Sequence, residues 1–420
     1  MRNWVLLKSF LLATALHAAP EDIDACLAYD VSYAELVEIC SRAVQEPVSD
    51  AENLSTLYDY LGYAQYQEDL DDLAEENFRK SISLWPENHD ALTDLGWLLH
   101  HYDRYEEALE KFKSAYSLDQ TPSVLAGLGS TISHLGIDSN RAIGLLDAAF
   151  LADPEYIWAI RERGWAYFRD SRYDEAVRTF EEAERLFPDD HLTQLGLGIS
   201  LSSAGDLGRS KTILEGVYET EPDNLRALVE LSYLEREIGN PEVAVNYAKH
   251  AYSLDRSYDN AITQFAWSLV ELDQLDQAQK IFLEGFNSQP GNEYLAEHVL
   301  DFFVFDIMDY ENASKVLDET RANGVLSLHL AANGSYALLQ RERNQDVIDL
   351  AIEATGAFGS DETVLFNQAY AHMALHQSES AFEALKAALQ VGLPEADKLQ
   401  FAKDAFDRFK FRLALRAVAL

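Results

Sequence analysis

Apolar and small residues recur along most of this chain with the spacing of buried helix faces. Residues 157–190 contain two triplets at spacing i, i+4, i+7, namely Ile160, Gly164, Tyr167 and then Ala176, Phe180, Ala183. This spacing is typical of the buried stripe of an amphipathic helix. The segment therefore predicts two short helices joined by a tight turn, with Pro188 closing the unit.

The two-helix segment repeats with a period of 34 residues. Steps of 34 from Gly164 reach small residues throughout: Gly62, Gly96, Ser130, Gly164, Gly198, Ser232 and Ala266. The series through Ala176 is also small: Ala74, Ala108, Ala142, Ala176, Ser210, Ala244 and Ala278. The series through Phe180 is mostly large and apolar: Phe78, Phe112, Leu146, Phe180, Leu214, Ala248 and Phe282. Small residues let two helices approach and a large residue fills the gap, so the period predicts repeated pairs of packed helices.

A fixed period of 34 with these residue types resembles the tetratricopeptide repeat family. The resemblance implies an all-α fold, a right-handed superhelical solenoid of antiparallel helix pairs. A single pair cannot bury its apolar face, so stability would come from stacking between neighbours. Where the family usually has a tryptophan near the start of the repeat, this chain has other large apolar residues, such as Leu92 and Ile160.

We expect six regions along the chain. They are a signal peptide at 1–18, an N-terminal helical hairpin at 19–54, seven regular 34-residue units at 55–292, two degenerate helical repeats at 293–361, one further repeat at 362–394 and C-terminal capping helices at 395–420. The third of the seven units departs from the period, because Gly129 and Gly136 each lie one residue before the position that the 34-residue steps give. This offset predicts a longer turn before Ala142.

The N-terminus has the features of a secretory signal. Arg2 and Lys8 supply positive charge, residues 10–16 are mostly apolar, and Ala18-Ala19 offers a cleavage bond. The stretch is too short to span a membrane comfortably, and no transmembrane segment is expected after cleavage. These features predict export to a bacterial periplasm; a frayed N-terminal helix is the alternative.

The two cysteines of the chain, Cys26 and Cys40, lie in a segment that reads as helix, turn, helix. An antiparallel hairpin of that length can bring the two sulfur atoms together. In an exported chain this favours a disulfide; two buried free thiols are the alternative.

The chain is strongly acidic, with 33 basic and 72 acidic residues and a formal net charge of −39. Nucleic-acid binding is disfavoured, because its affinity comes largely from Lys and Arg neutralising phosphates. The acidity favours either a basic partner or a surface whose charge serves solubility.

We find no catalytic motif in a fitting context: no nucleophile elbow, HExxH zinc motif, phosphate loop or dinucleotide fingerprint. His100 and His101 are adjacent on a predicted helix and do not share a face, so they are a poor metal chelate. The sequence therefore predicts no enzyme, no cofactor and no metal site.

The residue after each small residue of the first helix is aromatic in five of seven units: Tyr63, Trp97, Thr131, Trp165, Ile199, Tyr233 and Trp267. In the family that the array resembles, this position points toward a groove lined by the first helices. Adding neighbours on the same face, the predicted partner-binding residues are Tyr63, Tyr66, Trp97, His100, Arg161, Trp165, Phe168, Tyr233, Arg236 and Trp267. The family's carboxylate clamp needs paired Lys and Asn here, so that activity is not implied.

These features predict an exported, non-enzymatic scaffold that holds a peptide or protein segment in an aromatic-lined groove. A glycan-binding subunit of an envelope polysaccharide assembly or export system is the alternative, since sugars also stack on aromatic rings. The rings could instead pack against the adjacent repeat and stiffen the array.

Overall fold

The computed structural model describes residues 20–28, 31–48, 50–407, 414, 417 and 418, and every regular element within them is a helix. The predicted signal peptide, 1–18, lies outside the described residues. The chain divides into two compact units, with residues up to Ile213 in unit 1 and residues from Leu214 in unit 2. Among the described residues, no helix combines the length and apolar character needed to cross a membrane.

Unit 1 is built from helices α1 to α11 and the first half of α12. Their bounds are α1 Pro20–Ala28, α2 Tyr33–Ala43, α3 Ala51–Gln67, α4 Asp71–Leu84, α5 His89–His101, α6 Tyr105–Leu118, α7 Pro122–His134, α8 Ser139–Ala152, α9 Ile157–Arg169, α10 Tyr173–Leu186, α11 His191–Ser203 and α12 Leu207–Thr220.

Unit 2 continues from α12 through α23 and includes one short π-helix. Its bounds are α13 Leu225–Glu237, α14 Pro241–Leu254, α15 Asp259–Glu271, α16 Leu275–Ser288, α17 Glu293–Asp301, the π-helix Phe302–Asp306, α18 Tyr310–Ala322, α19 Leu328–Gln340, α20 Asn344–Phe358, α21 Glu362–Ala374, α22 Ser378–Val391 and α23 Glu395–Asp407.

Both units are stacks of helix pairs, which confirms the predicted all-α fold of repeated pairs. Within a pair the two helices pack on each other, as α3 does on α4 and α5 on α6. The first helices of successive pairs also contact one another, forming a first-helix layer of α3, α5, α7, α9 and α11 in unit 1. Unit 2 repeats this arrangement with α13, α15, α17, α19 and α21.

Glycines and phenylalanines interlock inside this stack. The Phe112 ring lies against Gly96 of its own pair and Gly127 of the next pair, and a Cβ at Gly127 would come within 2.2 Å of the ring. Phe180 is held in the same way between Gly164 and Gly196. The rings fill the space that the missing side chains leave, so the 34-residue alternation of small and large residues sets how closely neighbouring pairs approach.

The turn inside each pair also follows the period. A residue with left-handed backbone recurs 34 residues apart at Asp69, Asp103, Ser171, Gly205, Gly239 and Asp273. In the irregular third unit the left-handed residue is Gly136, one position early. A single left-handed residue ends the first helix and reverses the chain, and Gly, Asp and Asn tolerate that conformation best.

Side-chain caps start several of the first helices at the same period. Asn88, Asp190, Asn224 and Asn292 each accept a hydrogen bond from the backbone amide three residues on. Such caps satisfy amides that the helix itself leaves without a partner, and each contributes about 1 kcal/mol.

The N-terminal hairpin is closed covalently, because Cys26 and Cys40 form a disulfide between α1 and α2. Both cysteines are fully buried, with Leu36 and Leu57 among their core neighbours. The predicted disulfide is therefore present in the structure.

The apolar segment at 301–310 departs from the repeat pattern. Phe302, Phe303 and Val304 are buried in the largest core cluster of unit 2, while Phe305 is 58% exposed. The π-helix adds a residue to the helical turn, and this rotates the three buried side chains together into the core. Just before this segment, the fully buried Leu300 occupies the position that is small in the seven regular units.

Candidate binding site

The predicted tryptophans share one packing geometry. Each ring meets the phenylalanine fifteen residues later edge-on with 5.3 Å between centroids: Trp97 with Phe112, Trp165 with Phe180 and Trp267 with Phe282. Edge-to-face contacts of this kind stabilise aromatic pairs beyond their buried area. One side of each ring therefore serves the stacking of its own helix pair, and any ligand must use the remaining surface.

Around Trp97 the remaining surface opens into a cavity of about 310 Å³ in unit 1. Six aromatic side chains line this aromatic cavity: Tyr63 and Tyr66 of α3, Phe78 of α4, Trp97 of α5, Tyr156 immediately before α9, and Trp158 in its first turn. His100, His101, Asp94, Gln67 and Ser123 supply polar groups. The volume is at the lower end of the range for ligand sites, roughly 300–1,000 Å³.

The aromatic walls of the cavity are held by contacts on their outer sides. Trp97 and Trp158 lie with ring centroids 5.6 Å apart, and the Trp97 indole N–H donates to Ser123 Oγ over 2.9 Å. Tyr63 packs edge-on against Tyr33 of α2, and Tyr66 against His101. Trp158 is 44% exposed, so one wall of the cavity remains open to solvent.

A carboxylate pair lies at the cavity. Asp94 lines it, and burial together with the charge of Asp90 raises the pKa of Asp94 to about 7. Asp59 of α3 is 5% exposed, and its pKa is raised well above the usual range, first by burial and then by the charges of Asp94 and Asp90. The Asp59 Oδ1 atom has no hydrogen-bond partner among the described residues. The site therefore disfavours the ionised form of both carboxyl groups, and no cation among the described residues is paired with either of them.

His100 links the cavity to a buried polar network. Ser130 Oγ donates to Glu162 Oε2 over 2.6 Å and lies 3.0 Å from His100 Nε2. Burial lowers the pKa of His100, which favours the neutral ring. Ser130 is fully buried and already donates to Glu162, so this serine is not presented as a nucleophile.

Arg161 is committed to structural contacts beside the cavity. Its guanidinium lies 4.9 Å from the Trp158 ring centroid and 3.0 Å from Asp190 Oδ1. Asp190 in turn caps α11. Arg161 is only 7% exposed, and Asp190 balances its charge within the protein. Its contact with the Trp158 ring orients that ring.

The other predicted residues of unit 1 form a separate aromatic group. Trp165 packs on Phe168 as well as on Phe180, and Phe168 continues to Tyr173 with 5.4 Å between ring centroids. These rings follow α9 into α10. They do not line the aromatic cavity at Trp97.

Three predicted residues lie in unit 2. Arg236 pairs with Glu271 at 2.8 Å, and Tyr233 on the same helix is 36% exposed. The Trp267 indole N–H donates to His298 Nδ1 over 3.1 Å, and His298 also packs against Tyr294. The ring of Trp267 is therefore covered on its outer side by the next first helix.

The sequence-based site omitted seven residues that line the cavity: Gln67, Phe78, Asp94, His101, Ser123, Tyr156 and Trp158. It also omitted the buried Asp59, whose pKa is raised by the charge of Asp94. Asp59 stands at the same repeat position as Thr93 and Arg161, so stepping by 34 would have found it. Trp158 and Tyr156 come from the entry to α9 and meet Trp97 from 61 and 59 residues away. Their approach depends on how the pairs stack, for which the period carries no signal.

A wider groove in unit 2 is lined by α19, α21 and the start of α23. It encloses about 1030 Å³, and Tyr336, Phe366 and Tyr370 contribute its aromatic surface. Across the described residues of both units, no cluster of three or more His, Cys, Asp or Glu side chains is arranged to hold a metal ion.

Solved structures similar to this chain include yeast Tom70, with a TM-score of 0.51 and 12% identity over 94% of this chain and 96% of that one. A tetratricopeptide repeat protein from Parabacteroides merdae aligns with a TM-score of 0.48 and 18% identity over 58% of this chain and 97% of that one. At these identities the likeness to Tom70 concerns the fold alone. A search of the curated proteins finds no significant sequence match.

The family profile described as tetratricopeptide repeat matches residues 63–123 and 138–192. These residues contain the aromatic cavity's α3 and α5 side chains as well as the entry to α9. The Gly–Phe interlock, the left-handed turns and the 34-residue period extend the same pattern beyond the matched segments. Residues 63–123 and 138–192 are therefore tetratricopeptide repeats, and the helix pairs beyond them have the same architecture.

Proposed function

We propose that this chain is a non-enzymatic interaction scaffold that holds a segment of a partner protein at the aromatic cavity of unit 1. The observation that carries the proposal is the meeting of Tyr63, Tyr66, Trp97, Tyr156 and Trp158 around one partly open space. Rigid aromatic side chains offer large contact area at low entropic cost, and they dominate binding energy at many interfaces.

The size and position of the cavity favour an extended segment over a folded surface. A cavity of about 310 Å³ accommodates one or two side chains. It opens along the first-helix layer, where successive helices offer further contacts on either side. A segment anchored there by one side chain and lying across several helices fits both features.

The charge of the chain is consistent with a protein partner. With 72 acidic and 33 basic residues, the surface repels nucleic-acid phosphates and attracts basic segments. Long-range attraction of this sort raises association rates more than it raises final affinity.

We also propose that the chain works outside the cytoplasm, in a bacterial periplasm. The support is the Cys26–Cys40 disulfide, because disulfides persist in oxidising compartments, together with the signal-like pattern predicted at 1–18. Thiol labelling of the protein from its native compartment tests this: protection of both cysteines until reduction is expected, and labelling of both without reduction would exclude the proposal.

The test of the binding proposal is affinity capture from native envelope extract with three forms of the chain. Trp158→Ala removes a wall of the cavity that is 44% exposed, and Phe305→Ala removes a ring in unit 2 that is 58% exposed as the control. We expect the wild type and Phe305→Ala to recover the same protein, and Trp158→Ala to lose it. Recovered protein would then be reduced by limited proteolysis to the segment that binds.

Equal recovery by all three forms would remove the aromatic cavity from the proposal. If none of them recovers a protein, a panel of envelope oligosaccharides is the next probe. Saturable quenching of tryptophan fluorescence that Trp158→Ala abolishes would replace the protein segment with a glycan.

A further inference from the structure

The aromatic cavity combines two features that a neutral ligand does not explain. Its walls are the faces and edges of electron-rich rings, and a carboxylate, Asp94, lies among them. A second carboxylate, Asp59, is buried close enough for the charge of Asp94 to raise its pKa. We propose that the cavity binds a basic side chain, lysine or arginine, presented by the partner segment. This inference rests on the proposed function and specifies the chemistry of its anchor.

Asp59 and Asp94 favour a cationic ligand. Burying a charge without a partner is costly, and proteins normally avoid it by pairing the group or neutralising it. Among the described residues no cation forms an ion pair with Asp59 or Asp94, and no cation contributes to the pKa of either group. The Oδ1 atom of Asp59 also lacks a hydrogen bond. An ammonium or guanidinium entering the cavity would supply the missing partner.

The nearby positive charges are already matched. Arg161 beside Trp158 is held by Asp190, and Arg169 lies 3.6 Å from Glu162. His100 is kept neutral by burial, which lowers its pKa. These cations are therefore not available as partners for Asp59 or Asp94.

The aromatic walls of the cavity also favour a cationic ligand. A cation over the face of Trp or Tyr is attracted by the ring quadrupole, and the attraction grows when water is excluded. Trp158 already makes this contact with the Arg161 guanidinium at 4.9 Å, so the protein itself occupies one face of that ring. Trp97, Tyr63 and Tyr66 offer further rings around the same space.

An apolar side chain could contact the rings but could not supply a counter-charge to the carboxylates. It would complete the exclusion of water from Asp94 without supplying a counter-charge, so binding would have to neutralise the acid or leave it unpaired. A lysine has an apolar stem to contact the rings and a charged end to meet Asp94. The combination of rings and acid thus selects a basic side chain over an apolar one of the same length.

The experiment uses the full chain labelled with 5-fluorotryptophan, whose resonances are assigned by single Trp→Phe variants. The probes are Nα-acetyl-lysine amide and its uncharged counterpart Nα-acetyl-norleucine amide. We expect the lysine probe to shift the Trp97 and Trp158 resonances saturably, and to bind about tenfold more tightly than the norleucine probe. Asp94→Asn keeps the shape of the side chain and should remove most of that preference.

Equal binding of the two probes, or an unchanged preference in Asp94→Asn, would overturn the basic anchor. The separate outcome for the proposed function comes from the captured segment. If Trp158→Ala loses the segment and Asp94→Asn retains it at full affinity, the scaffold stands and the basic anchor falls. If the lysine probe binds as expected while no segment is captured, the cavity chemistry stands and the scaffold proposal falls.

Discussion

Trp97 in unit 1 and Trp267 in unit 2 occupy the same repeat position, but their surroundings differ. Both rings meet a phenylalanine edge-on at 5.3 Å, and both indole N–H groups donate to a neighbouring side chain. At Trp267 the acceptor is His298 of the next first helix, which covers the ring. At Trp97 the acceptor is the small Ser123, and the ring lines a cavity together with Trp158, which packs against it.

The difference shows which residues build the array and which distinguish one unit from another. The small residue, the large apolar residue packed on it and, in five of seven units, an aromatic ring follow the 34-residue period and set the packing of each pair. Residues outside the periodic series, such as Ser123, Trp158 and Asp94, decide whether a space remains and what charge it carries. Function in a repeat protein is expected to lie in the second group.

The largest effect is expected from the packing beneath Trp97. Gly127→Ala places a Cβ about 2.2 Å from the fully buried Phe112 ring, so the ring or α7 must move. We expect the free energy of unfolding to fall by about 2–4 kcal/mol. The measurement is chemical denaturation followed by circular dichroism.

Gly144→Ala is the matched control for this prediction. Gly144 lies in the exposed face of α8 with open space around it, so alanine should stabilise the helix by about 0.5–1 kcal/mol. Similar stability of the two variants would show that the Gly–Phe interlock does not set the spacing of the pairs.

The next largest effect concerns the pH dependence of stability that Asp94 causes, compared with that of an exposed carboxylate. Asp94 has a folded pKa of about 7 against 3.8 in the unfolded chain, so the folded state binds the extra proton between these values. Wild-type stability should therefore decline as pH rises from about 4 to 7 and level off above 7. Asp94→Asn removes this decline, and we expect it to be more stable than wild type by about 1–3 kcal/mol at pH 8.

Thermal unfolding from pH 4 to pH 8 measures the difference. Asp349→Asn, at an exposed position on α20, is the control and should follow the wild-type pH dependence. A constant difference between Asp94→Asn and wild type across this range would mean that Asp94 ionises in the folded protein as it does in solvent. Asp59 and Asp90, whose charges face Asp94, remain unchanged in both variants.

The sequence predicted the packing of the array well and the cavity only in part. The positions of Gly96, Phe112 and Trp97 are predictable from the 34-residue period, because each side chain packs within one repeat or against the next. Trp158 meets Trp97 across two helix pairs, so its position depends on the accumulated rotation from pair to pair. The perturbed acidity of Asp94 depends on burial, which the carboxylate-rich sequence around it does not reveal.

The smallest effect concerns the two tryptophans directly. Trp97→Phe and Trp267→Phe each remove one indole hydrogen bond, and we expect each to cost about 1 kcal/mol of stability. Only Trp97→Phe should weaken binding of the lysine probe. Weakened binding in Trp267→Phe at unchanged helical content would move the site toward unit 2, in line with the broader set of residues that the sequence predicts.

The account's central claim is that the partner segment binds at the aromatic cavity of unit 1. The most direct measurement is photo-cross-linking of the captured segment, with a benzophenone in place of one residue next to its basic side chain, followed by mass spectrometric mapping. The account predicts cross-links to α3, α5 and the entry to α9. Cross-links confined to α15 and α17 around Trp267, or to the groove lined by Tyr336 and Phe366, would contradict it.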